Sequence, residues 1–392
     1  MGALRTAVRA AITPLWLGLA LAGQTATGSE HRPDFSASER AIIAGFGPLP
    51  TETPPDPGNE LSGRPWAEAL GAALFRDPRL SGGGQLACIT CHQPVRGFSD
   101  GLPVALGAAR HTRNTQGLLG VGLQRWFGRD GGADSLWAAS LRPMLSPLEM
   151  AATSDSVAAR MRDDEALKAA AEVHASGLGL NLDSDTDITV FIAKALGAYL
   201  RTLASPRTPF DDFRVALLDG DTDAIARYPA AAQRGLKHFV GEARCFVCHV
   251  GPAFSNGEFH DIGRPFFTGV GEVDGGRYLG IKRVRRDPFN LLGEHAKSAS
   301  DAQKRKTSTV TLGQVNFGQW RTPSLRNLLS TAPYMHDGSL ASLAAVVDYY
   351  ADIDADRLHS DGESLLRPLP LSDTDRADLV HFLETLSTAP AR

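Results

Sequence analysis

The chain has 392 residues, a formal net charge of −4, 40 glycines, 24 prolines and only four cysteines. The mild acidity excludes a nucleic-acid binder that relies on a basic footprint, and the Gly and Pro content favours long ordered loops between modest helices over a sheet-rich enzyme. The length predicts two domains.

The N-terminal "MGALRTAVRAAITPLWLGLALAG" sets Arg5 and Arg9 ahead of an apolar run that ends in small residues. That is the layout of a secretory signal peptide, assigned to residues 1–28. As a membrane anchor the run over 10–22 falls short of the roughly 20 apolar residues a span needs, and Pro14 interrupts it. No later stretch is apolar enough to cross a bilayer. The mature chain is therefore expected in the periplasm without a membrane span.

Behind the leader, "SASERAIIAGF" carries a capping box from Ser36 to Glu39 and predicts a short helix. "GPLPTETPPDPGNEL" (47–61) is a proline-rich extended segment. "DITVFIAKALGAYLRTL" (187–203) puts Ile188, Phe191, Ile192, Ala195 and Leu196 on one helical face. A domain cut is placed near residue 208 in "SPRTPFDDF", which gives domains over 29–208 and 209–392. "RGLKHFVGEARCFVCH" is a helical lead-in to the second cysteine pair. The segment 251–320 is loop-rich; its basic run "IKRVRR" (281–286) reads as a solvated surface or a docking patch for an acidic partner. "STVTLGQVNF" (308–317) is the best strand signal, a short excursion within a loop. "LSDTDRADLVHFLETLS" closes the chain as a helix with Ser372 as N-cap and Leu379, Phe382, Leu383 and Leu386 as its apolar stripe. The predicted fold class is mainly α.

Every cysteine belongs to a Cys-x-x-Cys-His unit: Cys88, Cys91 and His92 in "CITCHQP", and Cys245, Cys248 and His249 in "CFVCHVG". Thiols at i and i+3 lie side by side on a helical turn. They can add to the two vinyl groups of a haem, and the following His is then placed beneath the ring as an axial ligand. A redox disulfide needs no trailing His, yet both copies have one. A zinc site wants a fourth ligand at finger-like spacing, and neither copy has it. Two covalent c-type haems follow, with His92 and His249 as proximal ligands.

"LFRDPRLSGGGQLACITCH", "TRNTQGLLG", "RTPSLRNLLSTAPYMHDGSLASLAAVVDYY" and "LRPLPLSDTDRADLVHFLETL" resemble the bacterial di-haem cytochrome c peroxidase/MauG family, and the resemblance covers nearly all of the chain behind the leader. "DPFNLLGEHA" and "RLHSDGESLLRPL" look closer still to MbnH-type di-haem enzymes of methanobactin-type copper operons. The resemblance implies two cytochrome c-like helical domains, with long loops, little sheet and a calcium ion between them. It makes the haem on His92 the peroxide-reactive one. The family carboxylate over that iron matches Glu149 of the pair Glu149-Met150, where it would take a proton from one peroxide oxygen and return it to the departing one. His111 is a second candidate for the same pocket, although its spacing does not match the distal His of the peroxidases. For the haem on His249, conventional peroxidases use a Met after "HDG", and that segment here has none. Tyr350 falls at the offset from Thr331 at which MauG has its axial Tyr; Met335 is the fallback, and Tyr349 and Tyr350 read alone would be helix-face aromatics. Phenolate favours ferric and higher iron, whereas Met raises the potential. The family calcium ligands match Asn114, Thr331 and Pro333.

Two departures from the family stand out. The Trp of its "WDGR" motif, between the haems, falls on Arg129, with Trp126 and Trp137 out of register. MauG's partner-facing Trp falls on Ala243. The resemblance thus implies a haem-dependent oxidoreductase of MauG/MbnH type. In it, hydrogen peroxide produces a high-valent state shared by two haems, which oxidises a residue of a secreted partner protein, Trp to kynurenine in the MbnH-like case. Two alternatives stay open: a peroxidase that reduces hydrogen peroxide with electrons from a small redox protein, and a non-enzymatic electron-transfer cytochrome.

Overall fold

The computed structural model describes residues 31–264, 267–354 and 366–388. The expected leader over 1–28 and most of "RLHSDGESLLRPL" lie outside these residues. The fold is mainly helical, as the sequence predicts. Its first half holds α1 (Ala37–Ala44), α2 (Pro65–Leu74), the single turn α3 (Cys88–Cys91), α4 (Leu136–Leu145), α5 (Ser154–Asp163), α6 (Glu165–Leu178) and α7 (Asp185–Arg201). The second half adds α8 (Pro209–Asp219), α9 (Thr222–Arg227), α10 (Ala230–Val240), α11 (Arg277–Arg286), α12 (Asp301–Thr309), α13 (Leu343–Ala351) and α14 (Asp373–Glu384). No helix among the described residues is long and apolar enough to cross a membrane.

Local signals set several of these boundaries. Ser36 and Glu39 form the predicted capping box of α1. Ser372 caps α14, and Ser184 caps α7, which starts two residues before the predicted span. The strand expected over 308–317 does not form. Ser300 and Gln303 open a capping box that carries the chain through α12 as far as Thr309, and Gln314–Asn316 is a 3-10 turn. The strand of this region follows it: beyond the small hairpin of β2 (Phe267–Gly269) and β3 (Glu272–Val273), β4 (Gln319–Arg321) pairs antiparallel with β1 (Phe259–Asp261), placing His260 opposite Trp320.

The two halves repeat one plan. In each, the helix leading to the cysteine motif crosses a long later helix, α2 on α7 and α10 on α14. Glycine makes both crossings possible. A Cβ on Gly71 would lie 2.0 Å from Ala195 O, and one on Gly235 would lie 1.9 Å from Asp378 O. Between motif and long helix, each half has a short bridged turn, Phe127 with Ala133 and Tyr334 with Leu340. A serine cap follows, Ser135 on α4 and Ser342 on α13, each accepting from the amide three residues on.

The cut near 208 separates the two cysteine motifs, but each core borrows a segment from across it. One core gathers residues from 61–200 together with Leu291, Ala296 and Ala299. The other gathers residues from 210–254 and 343–386 together with Phe35, Ile43 and Phe46. Phe46 stacks on Phe254 at 4.6 Å and meets Phe210 and Phe239 edge-on, and each such buried ring contributes about 1.5–3 kcal/mol over an exposed one. The basic run at 281–286 belongs to α11 and faces inward in part: Ile281 and Val284 are buried, and Arg283 Nη1 lies 2.7 Å from the buried Asp130.

Candidate functional site: two matched clefts

In the first half, His92 closes the α3 turn by donating its amide to Cys88 O (2.9 Å), and its ring Nδ1 lies 2.8 Å from Phe98 O. In the second, the His249 amide donates to Cys245 O (2.9 Å), and Nδ1 lies 2.9 Å from Phe254 O. Phe98 and Phe254 turn the chain back at φ 62° and 50°, left-handed values that few non-glycine residues adopt. A carbonyl can only accept, so each Nδ1 carries the proton and each Nε2 is left as the lone-pair donor, the tautomer that metal-bound histidines use. Burial depresses the basicity of both rings, that of His249 to a pKa of about 4. Burial also pushes Cys88 and Cys245 up to about 12 and Cys91 to about 11, so these groups are protonated thiols. All four cysteines are free of disulfides.

Each motif opens into a cleft. The first encloses about 1380 Å³, partly open to solvent, with His92, both thiols, Phe75, Leu118 and Leu196 on its walls. The second encloses about 1240 Å³, with His249, Leu325, Leu343, Val346 and Leu383. Asn114, Thr115, Gln116 and Arg129 line both clefts and form the seam between them. The Asp130 carboxylate, fully buried beside this seam, is paired with Arg113 and Arg283 at 2.7 Å, with Arg142 at 3.9 Å. Desolvation opposes its ionisation, but the three guanidiniums outweigh it and hold the carboxyl far below the usual range.

A family model for di-haem cytochrome c peroxidase matches residues 65–221. The methylamine utilization protein MauG of Methylorubrum extorquens is 34% identical over 94% of this chain and 89% of its own length. The chain belongs to the di-haem cytochrome c peroxidase/MauG family. Cytochrome-c peroxidase IdrP1 of a Pseudomonas species is 32% identical over 81% of this chain and 80% of its own. Among solved structures, a MauG-like protein associated with microbial copper homeostasis is 26% identical with a TM-score of 0.61, covering 86% of this chain and 94% of that one. The di-haem peroxidase BthA of Burkholderia thailandensis, at 22% identity and a TM-score of 0.63, shares the fold. As a member of the family, the chain is a peroxide-dependent, haem-based oxidoreductase with two haems.

The clefts fit such groups. Each offers a neutral imidazole donor and apolar walls, and the first also carries both of its thiols on the wall. The seam also holds cations that lack anions: the half-buried Arg129 and the buried Arg321 have no carboxylate in ion-pair reach among the described residues. Arg321 is 8% exposed and makes only long bonds to neutral oxygens, 3.3–3.5 Å. Burial lowers both to about 10, so they stay charged and suit the carboxylates a haem brings.

The other walls differ. In this di-haem enzyme the first cleft is lined by Glu149, His111, Arg113, Arg142 and Pro143. The segments bearing His111 and Glu149 are tied by Ala108 N donating to Glu149 O (2.7 Å) and Ala109 N to Leu148 O (3.0 Å). His111 Nδ1 accepts from Arg113 N at 2.9 Å, which leaves the proton on Nε2. The second cleft is lined by Tyr350 and Met335. Tyr349 does not line it, and its hydroxyl donates to Ile262 O at 2.7 Å.

The expected calcium cradle does not fit a dication. Asn114 Oδ1, its side-chain ligand, accepts from Arg129 Nη2 at 2.5 Å, and Arg129 Nε lies 3.3 Å from the Asn114 carbonyl. Thr331 and Pro333 line the same cleft. The aromatic pair near the seam is one that sequence reasoning missed. Trp320 and His336 stack at 3.6 Å with Arg113 over the indole at 5.1 Å. Trp126 instead lies under Arg277, and Trp137 is buried with Nε1 on Pro57 O. Also missed was the repeat of "FSDG" after His92 and "FSNG" after His249, which contains both ring-orienting carbonyls and could have been found by comparing the two motifs over a longer window.

Proposed function

We propose that the chain is exported to the periplasm, holds both haems covalently through Cys88/Cys91 and Cys245/Cys248 with His92 and His249 as axial donors, and uses hydrogen peroxide to oxidise a tryptophan on a secreted partner protein to kynurenine. Bound haem supplies the redox chemistry with peroxide. The chain divides the work between two unlike clefts. In the first, Glu149 takes the proton from one peroxide oxygen and returns it to the departing one, while His111, with its Nε2 proton, donates a hydrogen bond beside it. In the second, Tyr350 closes the site with an oxygen donor, which disfavours reduction. Two peroxides supply the two oxygen atoms of N-formylkynurenine with release of two waters, and hydrolysis then frees formate.

The single observation that carries this reading is Tyr350 on the second cleft at the helical position that Pro143 holds on the first. The likeness to a protein associated with copper homeostasis points the partner search to small secreted copper-binding proteins. The test is mass spectrometry of such a partner after incubation with diferric holoprotein and peroxide. A tryptophan converted to kynurenine supports the reading. An unchanged partner, together with fast peroxide turnover by a reduced small redox protein, replaces it with the conventional peroxidase that IdrP1's name describes.

A further inference from the structure

We propose that Arg129 takes the place of a divalent cation at the seam between the clefts, so that this protein holds its two halves together without calcium. Asn114 ties the seam on three sides. Its amide donates to His336 O in the second half (2.8 Å), and its Nδ2 donates to Leu102 O (2.9 Å). The second bond fixes which way the carboxamide points and turns Oδ1 toward Arg129. The guanidinium then takes Oδ1 through Nη2 and the Asn114 carbonyl through Nε. From the other side, Arg129 O accepts from Arg321 N of β4 at 2.9 Å. One residue thus joins Asn114 to the strand of the second half, which is the bridging that a cation on Asn114, Thr331 and Pro333 would perform.

The charge makes the two arrangements exclusive. Calcium takes six to eight hard oxygen ligands at about 2.3–2.6 Å, and a guanidinium bonded to the same Oδ1 stands within a few ångströms of that position. Like charges so close in a buried site repel far more strongly than in water. No carboxylate of the chain pairs with Arg129 to cancel this, because none lies in ion-pair reach among the described residues, while Arg113 is committed to Asp130 and Asp274 at 2.7 Å.

The test counts metal in the full-length holoprotein. Elemental analysis after purification in calcium-containing buffer is expected to give two irons and well under one calcium per chain. A calcium chelator is expected to leave the melting temperature and the resting electron paramagnetic resonance spectrum unchanged. One calcium per chain whose removal shifts either would overturn the proposal. Arg129→Gln removes the charge and is expected to gain a melting temperature that rises with calcium chloride, whereas Arg129→Lys keeps the charge and stays insensitive. A folded Arg129→Gln protein that remains blind to calcium would also overturn it, and if neither variant folds, the metal count of the unaltered protein decides.

Discussion

Pro143 and Tyr350 stand at the same distance from matched serine caps, Ser135 on α4 and Ser342 on α13, and each lines the cleft of its own half. A proline ring offers iron no donor atom, whereas a phenol does. The repeated plan thus builds two similar clefts, and at this matched position only the second carries a donor side chain, that of Tyr350.

Replacing that side chain should move the second centre alone. Tyr350→Met is expected to raise the second haem's reduction potential by on the order of a tenth of a volt, within the roughly 0.8 V that axial ligands span. Spectroelectrochemical titration of the holoprotein checks this, and a potential that does not move would remove Tyr350 from the iron. Partner oxidation is expected to fall in the same variant, with peroxide consumption retained.

Glu149→Gln keeps the backbone bond from Ala108 but removes the carboxylate proposed to carry the proton. The rate of reaction with peroxide should drop by roughly 10²–10⁴-fold, followed by stopped-flow absorbance, while the resting spectrum of the second haem stays as it was. A rate within about twofold of the original would place proton transfer elsewhere, with His111→Gln as the next variant.

The crossing of α10 and α14 should tolerate no side chain at position 235. Gly235→Ala drives a methyl into Asp378 O, 1.9 Å from the ideal Cβ, and the forced backbone shift is expected to cost about 1–3 kcal/mol. Denaturant titration measures it. Gly220→Ala serves as the control, since a Cβ there meets nothing within 4 Å and only its φ of +75° is strained.

Asp56 should give stability a pH dependence in mildly acid solution. Its carboxylate caps α4 from the proline-rich segment, accepting from Leu136 N at 2.8 Å and Trp137 N at 2.9 Å. Burial nonetheless raises its pKa from 3.8 to about 6, and those two bonds only partly offset the shift. The folded state therefore binds the proton more tightly than the unfolded state between these values, so this contribution is complete below pH 4 and is lost as pH rises through 6. The full swing is about 3 kcal/mol. Asp56→Asn should flatten the slope of stability against pH in that window, read by thermal melts from pH 4 to 7.

What the sequence alone determined was local. The Cys-x-x-Cys-His turns, the capping box of α1, the serine N-cap of α14 and the apolar face of α7 each depend on residues within about two helical turns, so their chemistry is complete in a short window. Glu149 and Tyr350 could be named from family likeness, with His111 and Met335 as second candidates, but only the folded chain sorts them onto two clefts. Tertiary structure alone decided the rest. It put residues 35–46 into the second core because Phe35, Ile43 and Phe46 find their apolar partners there. It buried Asp130 among arginines from three separate segments, set Trp320 on His336, and aimed Arg129 at Asn114. Each of these is settled by desolvation and packing between stretches far apart in the chain, where burying an apolar ring or leaving a charge unpaired outweighs any local preference. The run at 308–317 shows the same rule in reverse: its residues favour a strand, but it is Gln319–Arg321 that meets β1.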